Sequence, residues 1–437
     1  MGASYYIFKG IWLKCVILLI IAVIVLQVVH MVLLSQLHLK TANKNFVSFQ
    51  INDKPTKHKT LVIKGIQELL LNSKESSILD SSGDYRVINY FLESEVYKDE
   101  TRFSRNLQDV TLTTQSSLNH IHNLIYLTSH WKGPISITIF VPDGDVNFSA
   151  YVINALRLCV PAIQKSVSFH LVHPLNEAKN TKLIDLTSAV NIKCHESLEQ
   201  ISSRIGKFIS SKNYIHKTLY PINLLRNVAR QNIRTGFFLL IDIDMVPNIN
   251  LYQDFLHFLR KEQIIIKENS EMKNVYVLPA FEVRANVTFP ADKIELISLI
   301  KSSNAQPFYY NLCWKCHKHT DYKRWINISP KQVLDVAYQV LWIDPWEPFY
   351  ISPFFAPLYD ERFKQYGFNR ISQVCEMHVT GFSFAVLNNA FVIHKGMKEV
   401  TSFHKSKDEE QHRNKILYRL FKSELKEKYP NISRRCY

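Results

Sequence analysis

The stretch GFFLLIDIDMVP, Gly236 to Pro247, places five consecutive apolar residues, Phe237 to Ile241, directly before Asp242. A run that is apolar at every position reads as a strand covered on both faces, the kind found in the sheets of α/β proteins. Side chains on a strand alternate with period two, so the Asp242 and Asp244 carboxylates at the end of this strand are expected to point together to one face. Hard oxygen ligands at that spacing suit Mg²⁺ or Mn²⁺, which keep coordination positions for water and substrate phosphates. A metal there would neutralise charge on a departing nucleoside diphosphate. Two solvated acids ahead of a turn at Pro247 would give the same three letters, so the weight of Asp242-x-Asp244 comes from the buried strand before it.

Upstream, VTLTTQSS (Val110 to Ser117) is a β-rich run, LNHIHNLIYLTSHW has the apolar spacing of an amphipathic helix, and ISITIFVP (Ile135 to Pro142) is a second β-branched run ending in the turn signal Pro-Asp-Gly-Asp. Strand, helix and strand in this order predict an α/β fold with a mostly parallel sheet, with ligands at the carboxyl ends of the strands and Ser117 among them. Between Tyr220 and Gln231 the sequence YPINLLRNVARQ reads as a helix with Pro221 in its first turn. It carries Asn223 and Arg226, candidates for the nucleotide site; Arg226 could meet a phosphate bidentately or serve as a surface charge. His394 follows the apolar run NAFVI and precedes Lys395-Gly396. Its place at another strand end makes it the candidate third metal ligand, with a core histidine as the plain alternative.

With 46% apolar and 12% aromatic residues in 437, the chain can bury a large core, which excludes disorder of the whole. Lys and Arg outnumber Asp and Glu by 53 to 38, a formal +15, which points to an anionic partner. No RNA-binding signature, zinc-finger spacing or basic-aromatic stripe accompanies the charge, so nucleic acid is set aside and an anionic sugar nucleotide fits better.

Residues 15–34, CVILLIIAVIVLQVVHMVLL, are interrupted only by Gln27 and His30 and are about as long as a helix that crosses a bilayer. A cleaved signal peptide has a shorter apolar region and a small-residue cleavage site, so an uncleaved signal anchor is expected. Lys9 and Lys14 before it are nearly balanced by Lys40 and Lys44 after it. Sequons at Asn147, Asn286, Asn327 and Asn431 favour a lumenal C-terminal part. The expected organisation is a cytosolic tail over 1–10, a transmembrane helix over 11–34, a polar stem over 35–83 and a lumenal catalytic domain over 84–437. Six cysteines lie beyond the anchor (Cys159, Cys194, Cys313, Cys316, Cys375, Cys436), an even number suited to disulfides whose pairing the sequence leaves open. Cys313-Trp-Lys-Cys316-His317 matches the spacing of covalent haem attachment. Nothing else in the chain suits haem, and zinc would need further ligands nearby, so these cysteines read as disulfide-forming loop residues.

The segments SSLNHIHNLIYLTSHWKGPISITIF, YPINLLRNVAR, FLLIDIDMVP, VLPAFEVR, CHKHTDYKRW, WEPFYIS, PLYDERFKQYGFNR and CEMHVTGFSFAVLNNAFVIHKG resemble, in their order, glycosyltransferase family 49 over about Asp84 to Lys398. The resemblance implies a GT-A type fold and an inverting, manganese-dependent transfer from a UDP-sugar; together with the anchor and the sequons, a single-pass type II Golgi membrane protein acting on a glycan of a glycoprotein or glycolipid is expected. UDP-glucuronate is the donor in its best-known members, with N-acetylglucosaminyl transfer as the alternative. The resemblance assigns Asp242, Asp244 and His394 to the metal; Ser117, Asn223, Arg226, Asp242 and Lys395 are the candidates for the nucleotide-sugar. Related folds place an acidic pair after an aromatic-glycine turn, but here YGFNR offers Asn369 and Arg370 instead. Glu376 and Glu347 are therefore the candidate general bases. A homodimer or a complex with another transferase, a catalytically inactive scaffold of the same fold, and a hydrolase with paired acids are the remaining expectations.

Overall fold

The computed structural model describes residues 26–27, 66, 70, 76–97, 105–141, 145–175, 192, 194, 196–211, 219–264, 273–399 and 403–436. Met1–Asp53 and Lys54–Tyr437 form separate units, and only Leu26 and Gln27 of the first are described. The second unit carries the sheets and the site.

Its strands are β1 (Ile78–Leu79), β2 (Tyr85–Leu92), β3 (Asn106–Ser117), β4 (Ile135–Phe140), β5 (Val167–Pro174), β6 (Thr235–Leu240), β7 (Met245–Pro247), β8 (Asn274–Leu278), β9 (Ala280–Val283), β10 (Ala305–Pro307), β11 (Val336–Val340), β12 (Phe349–Pro353), β13 (Ser383–Leu387) and β14 (Val392–Lys395). Ten of them form one sheet in the order β1-β2-β5-β4-β3-β6-β12-β8-β13-β11, and β10-β9-β14-β7 form a second. The β5-β4-β3-β6 block is parallel, as the strand–helix–strand spacing predicts.

The expected mostly parallel sheet needs correction. β12 enters antiparallel to both β6 and β8, β1, β2 and β5 pair antiparallel, and so do β11 and β13, which makes the sheet evenly mixed and the fold mixed α/β. The antiparallel strands escape a sequence reading because short apolar runs carry no direction. The expected transmembrane helix, and with it the single-pass type II Golgi localisation, is also withdrawn. Among the described residues no helix is long and apolar enough to cross a membrane. The expected span over 11–34 lies outside those residues except at Leu26 and Gln27.

β6 explains the apolar run that marks it. Phe237 and Leu239 join one buried cluster with Val110, Leu112 and Phe255, while Phe238 and Leu240 join another with Val275, Trp325 and Tyr350. Each face meets its own core, so alternation is lost and every position is apolar. The helix Leu251–Lys261 covers the first face through Leu251, Phe255, Phe258 and Leu259. The helix Ile222–Gln231 packs Leu224, Leu225 and Val228 on Tyr85, Val87, Phe140 and Val172. Disulfides join Cys159 to Cys194, Cys313 to Cys316 and Cys375 to Cys436.

At the start of β6, a methyl group on Gly236 would lie 2.2 Å from the Leu107 carbonyl oxygen, a backbone atom that cannot swing aside. Gly236→Ala is expected to cost about 3 kcal/mol, the upper part of the overpacking range. The check is a lower urea midpoint at unchanged m; an unchanged midpoint would show that β3 and β6 are free to separate.

Candidate functional site

β6 ends at Leu240, and Ile241 to Asp244 leave the sheet in a turn closed by Met245 N–H donating to the Asp242 carbonyl at 2.9 Å. Period-two alternation stops with the strand, and the two carboxylates, though both line one cleft, take different partners. Asp242 turns to arginines, accepting from Arg226 Nη2 at 3.2 Å and from Arg370 Nη2 at 2.8 Å. Asp244 turns to His394 Nε2 at 3.2 Å and Lys398 Nζ at 3.3 Å. Sheet pairing makes the His394 contact: β7 lies antiparallel to β14 with Met245 opposite His394, which brings the imidazole beside the residue preceding Met245. Gly396, at φ +94°, then turns the chain back so that Lys398 reaches the same carboxylate.

The charges are tightly matched. Burial pushes the Asp242 carboxyl up, but Arg370 and then Arg226 outweigh it and hold the group below the usual carboxylate range. Burial likewise opposes ionisation of Asp244, and the His394 hydrogen bond and charge together with Lys398 hold it well below that range. Both aspartates are therefore ionised at neutral pH.

Arg226 is buried and spends its other bonds inside the protein, Nη1 donating to Asn223 Oδ1 at 3.1 Å and Asn369 Oδ1 at 2.8 Å. It positions Asp242. Asn223 donates to the carbonyls of Asp360 and Asn369 at 2.9 and 3.0 Å, pinning the chain segment that delivers Arg370. Lys395 points away, its ammonium 5.4 Å from the centre of the Phe289 ring. Ser117, at the carboxyl end of β3, does reach the site. With Gln115, Ser116, His120 and Tyr220 it lines a cleft of about 280 Å³ whose inner wall is Asp242, Ile243 and Asp244.

The candidate bases separate. Glu376 accepts from Lys428 Nζ at 2.7 Å and Tyr429 Oη at 2.9 Å and lines a different cavity, about 690 Å³, beside the C-terminal helix Lys407–Lys428. Glu347 lies among the site's charges: burial raises its carboxyl to about 7 against the pull of Arg370 and Arg226, with Asp242 and Asp344 adding to the rise. Residues that the sequence does not single out complete the surroundings. Buried Glu282 accepts from Tyr309 N–H at 3.0 Å and Lys398 N–H at 3.3 Å, tying two loops to β9. Arg370 carries a signal in the sequence, since it stands where related folds place an acid.

Among the described residues no group of three His, Cys, Asp or Glu is arranged to hold a metal. The donor chemistry of Asp244 and His394 fits a divalent cation nonetheless. His394 Nδ1 is engaged by the Gly396 carbonyl at 2.7 Å, which fixes the ring and leaves Nε2 toward Asp244, the outer-shell arrangement that metal-ligating histidines use.

The family model described as glycosyl-transferase for dystroglycan matches residues 109–430. The chain belongs to this glycosyltransferase family. It is 38% identical to β-1,4-glucuronyltransferase 1 of Danio rerio over 97% of this chain and 98% of that protein. It is also 29% identical to xylosyl- and glucuronyltransferase LARGE1 of Mus musculus, over 81% of this chain and 38% of that protein. Among solved structures, S. aureus TarS with UDP-GlcNAc is 9% identical, with a TM-score of 0.36 over 75% of this chain and 68% of that one. All the motifs that mark the strand, the aspartate pair and the His394 strand end fall inside the matched region.

Replacing Arg226 by Leu strands acceptors on Asn223, Asn369 and Asp242 and is expected to cost about 3 kcal/mol. Lys395→Ala, on an exposed position, should stay within about 0.5 kcal/mol. Chemical unfolding of both variants checks the contrast, and equal losses would contradict the positions given to them.

Proposed function

We propose that the chain moves glucuronate from UDP-glucuronate to a hydroxyl of a glycan acceptor, with inversion, and that Glu347 takes the hydroxyl proton. The observation that carries this reading is the ionised Asp244 beside His394 at the wall of the Ser117–Tyr220 cleft, with Glu347, whose carboxyl burial lifts to about 7, among the same charges. The cleft walls suit a uridine, with Tyr220 and Gln115, hydrogen-bonded to each other, as its polar lining. The Asp242 carboxylate, one-third exposed and fixed by two arginines, is a rigid acceptor for a ribose hydroxyl. Asp244 and His394 would hold Mn²⁺ or Mg²⁺, which supplies charge neutralisation at the leaving diphosphate when bound. Arg370 and Lys398 add positive charge beside the place where the anionic sugar must lie, which favours glucuronate over an uncharged N-acetylglucosamine donor.

Inversion needs one base. Glu347 accepts the acceptor proton as the oxygen attacks the anomeric carbon and the bond to UDP breaks on the opposite side. A carboxyl raised to about 7 is matched to that task, being basic enough to take a proton yet ionised in a useful fraction at neutral pH. Only its ionised form serves, so transfer should rise with pH through about 7 and fall away below it.

Incubation of the purified chain with UDP-glucuronate, Mn²⁺ and a panel of glycan acceptors should release UDP. Asp244→Asn should abolish release. Glu347→Gln should lower kcat by about 10²- to 10⁴-fold, the range for loss of a general base, and flatten the acid limb. Glu376→Gln should leave kcat near wild type. An active Asp244→Asn chain removes the metal assignment, and an active Glu347→Gln chain with an intact acid limb removes the base.

A further inference from the structure

The Cys313-Trp-Lys-Cys316-His317 segment meets the site at both of its ends. Cys313 N–H donates to the Tyr309 carbonyl at 2.9 Å, and Glu347 N–H donates to the Cys316 carbonyl at 2.8 Å. The Cys313–Cys316 disulfide closes the turn between these two bonds. Beyond it, buried His317 packs edge-on to Phe308 with ring centres 5.4 Å apart and parallel to Phe349 at 6.4 Å. Burial, with Arg370 adding to it, lowers this imidazole to about 3 and keeps it neutral in its aromatic setting. Tyr309 is itself held through its N–H by Glu282, the residue that also anchors the Lys398 loop. The segment Tyr309–His317 therefore keeps a fixed place relative to Glu347.

That segment also displays two large aromatic rings to solvent. Tyr310 is 50% exposed and Trp314 is 39% exposed, their ring centres 5.1 Å apart, with Trp314 backed by buried Tyr322 at 5.8 Å. Such rings offer apolar faces ringed by polar groups, the lining that orients ligands in recognition sites. A sugar has the complementary form: axial C–H groups make a flat apolar face, and the hydroxyls leave from its rim. An acceptor whose hydroxyl reaches Glu347 must lay its ring, or the next sugar, over whatever flanks Glu347. The main-chain hydrogen bond from the Glu347 N–H to the Cys316 carbonyl sets this segment beside Glu347.

We infer that the disulfide-closed segment Tyr309–His317 is the acceptor subsite, with Tyr310 and Trp314 stacking on the acceptor saccharide and the Cys313–Cys316 bond fixing their distance from Glu347. The inference rests on the reading of Glu347 as the base. No bond forms or breaks in this contact.

The test is steady-state transfer by the full chain, using UDP-glucuronate and the methyl glycoside that wild type uses best from a panel of such glycosides. Trp314→Ala should raise the acceptor KM about 10-fold, the worth of a lost aromatic contact. Trp314→Phe should recover part of that loss. The KM for UDP-glucuronate and the slow release of UDP to water should not move, because the donor cleft is untouched. Acceptor KM unchanged in both Trp314→Ala and Tyr310→Ala overturns the subsite. A parallel rise in the donor KM also overturns it, since the effect would then be a general loosening of the site. Glu347→Gln alone and combined with Trp314→Ala separate the two readings: an active Glu347→Gln chain whose acceptor KM rises about 10-fold on adding Trp314→Ala removes the base and keeps the subsite.

Discussion

One carboxylate joins the two halves of the sheet chemically. Asp242 leaves the central strand β6 and accepts from Arg226, on the helix Ile222–Gln231 that covers the parallel half, and from Arg370, at the start of the helix Ile371–Val379. Each arginine is almost fully buried, whereas Asp242 keeps about a third of its side chain in the cleft, 32% by exposure. Two buried cations around one anion would be costly alone, and neither could be removed without stranding partners. The arrangement is therefore self-locking: Asn223 and Asn369 hold Arg226, Asn223 holds the Asn369 backbone, and the Phe349 ring lies 4.2 Å below the Arg370 guanidinium. What emerges at the cleft is a carboxylate with little freedom to move, the preorganisation that the proposed nucleotide-sugar contact requires.

The second constraint is the small sheet. β7 is only Met245–Pro247, yet its pairing with β14 fixes the distance between Asp244 and His394, residues 150 positions apart in sequence. β9 lies on the other side of β14, opposite His394 with Glu282, and Glu282 ties the loops of Tyr309 and Lys398 to the same strand. The groups proposed to handle the diphosphate thus sit on a rigid ladder while the inferred acceptor side sits on loops, the usual division between scaffold and specificity.

The parallel block, the α-helix Leu124–His130 after β3 and the buried run of β6 are legible in sequence because each has a strong local period or composition, whereas the first half of that helical stretch, Leu118–Asn123, winds more tightly as a 3-10 helix. The antiparallel insertion of β12 is not legible, since FYISP carries no mark of direction and its place between β6 and β8 is a tertiary choice. Within the site, His394 at a strand end and the weight given to Asp242-x-Asp244 can be read from flanking residues. The separate partners of the two carboxylates cannot, because they depend on β6 stopping two residues before Asp242. Arg226 resembles a phosphate ligand in sequence because nothing there signals that Asn369 will claim it. Lys395 and Lys398 differ only in which side of Gly396 they stand on, and the turn at Gly396 selects Lys398. Glu347 and Glu376 are equal as letters, and their partners, Arg370 for one and Lys428 for the other, distinguish them.

The most direct measurement is a crystal structure of the chain with UDP and Mn²⁺, with anomalous scattering recorded at the manganese edge. One anomalous peak bonded to Asp244 and His394 Nε2 is expected, with the diphosphate beside it and Asp242 still paired to Arg226 and Arg370. A peak elsewhere, or an Asp242 released from its arginines, would contradict the roles given to these residues.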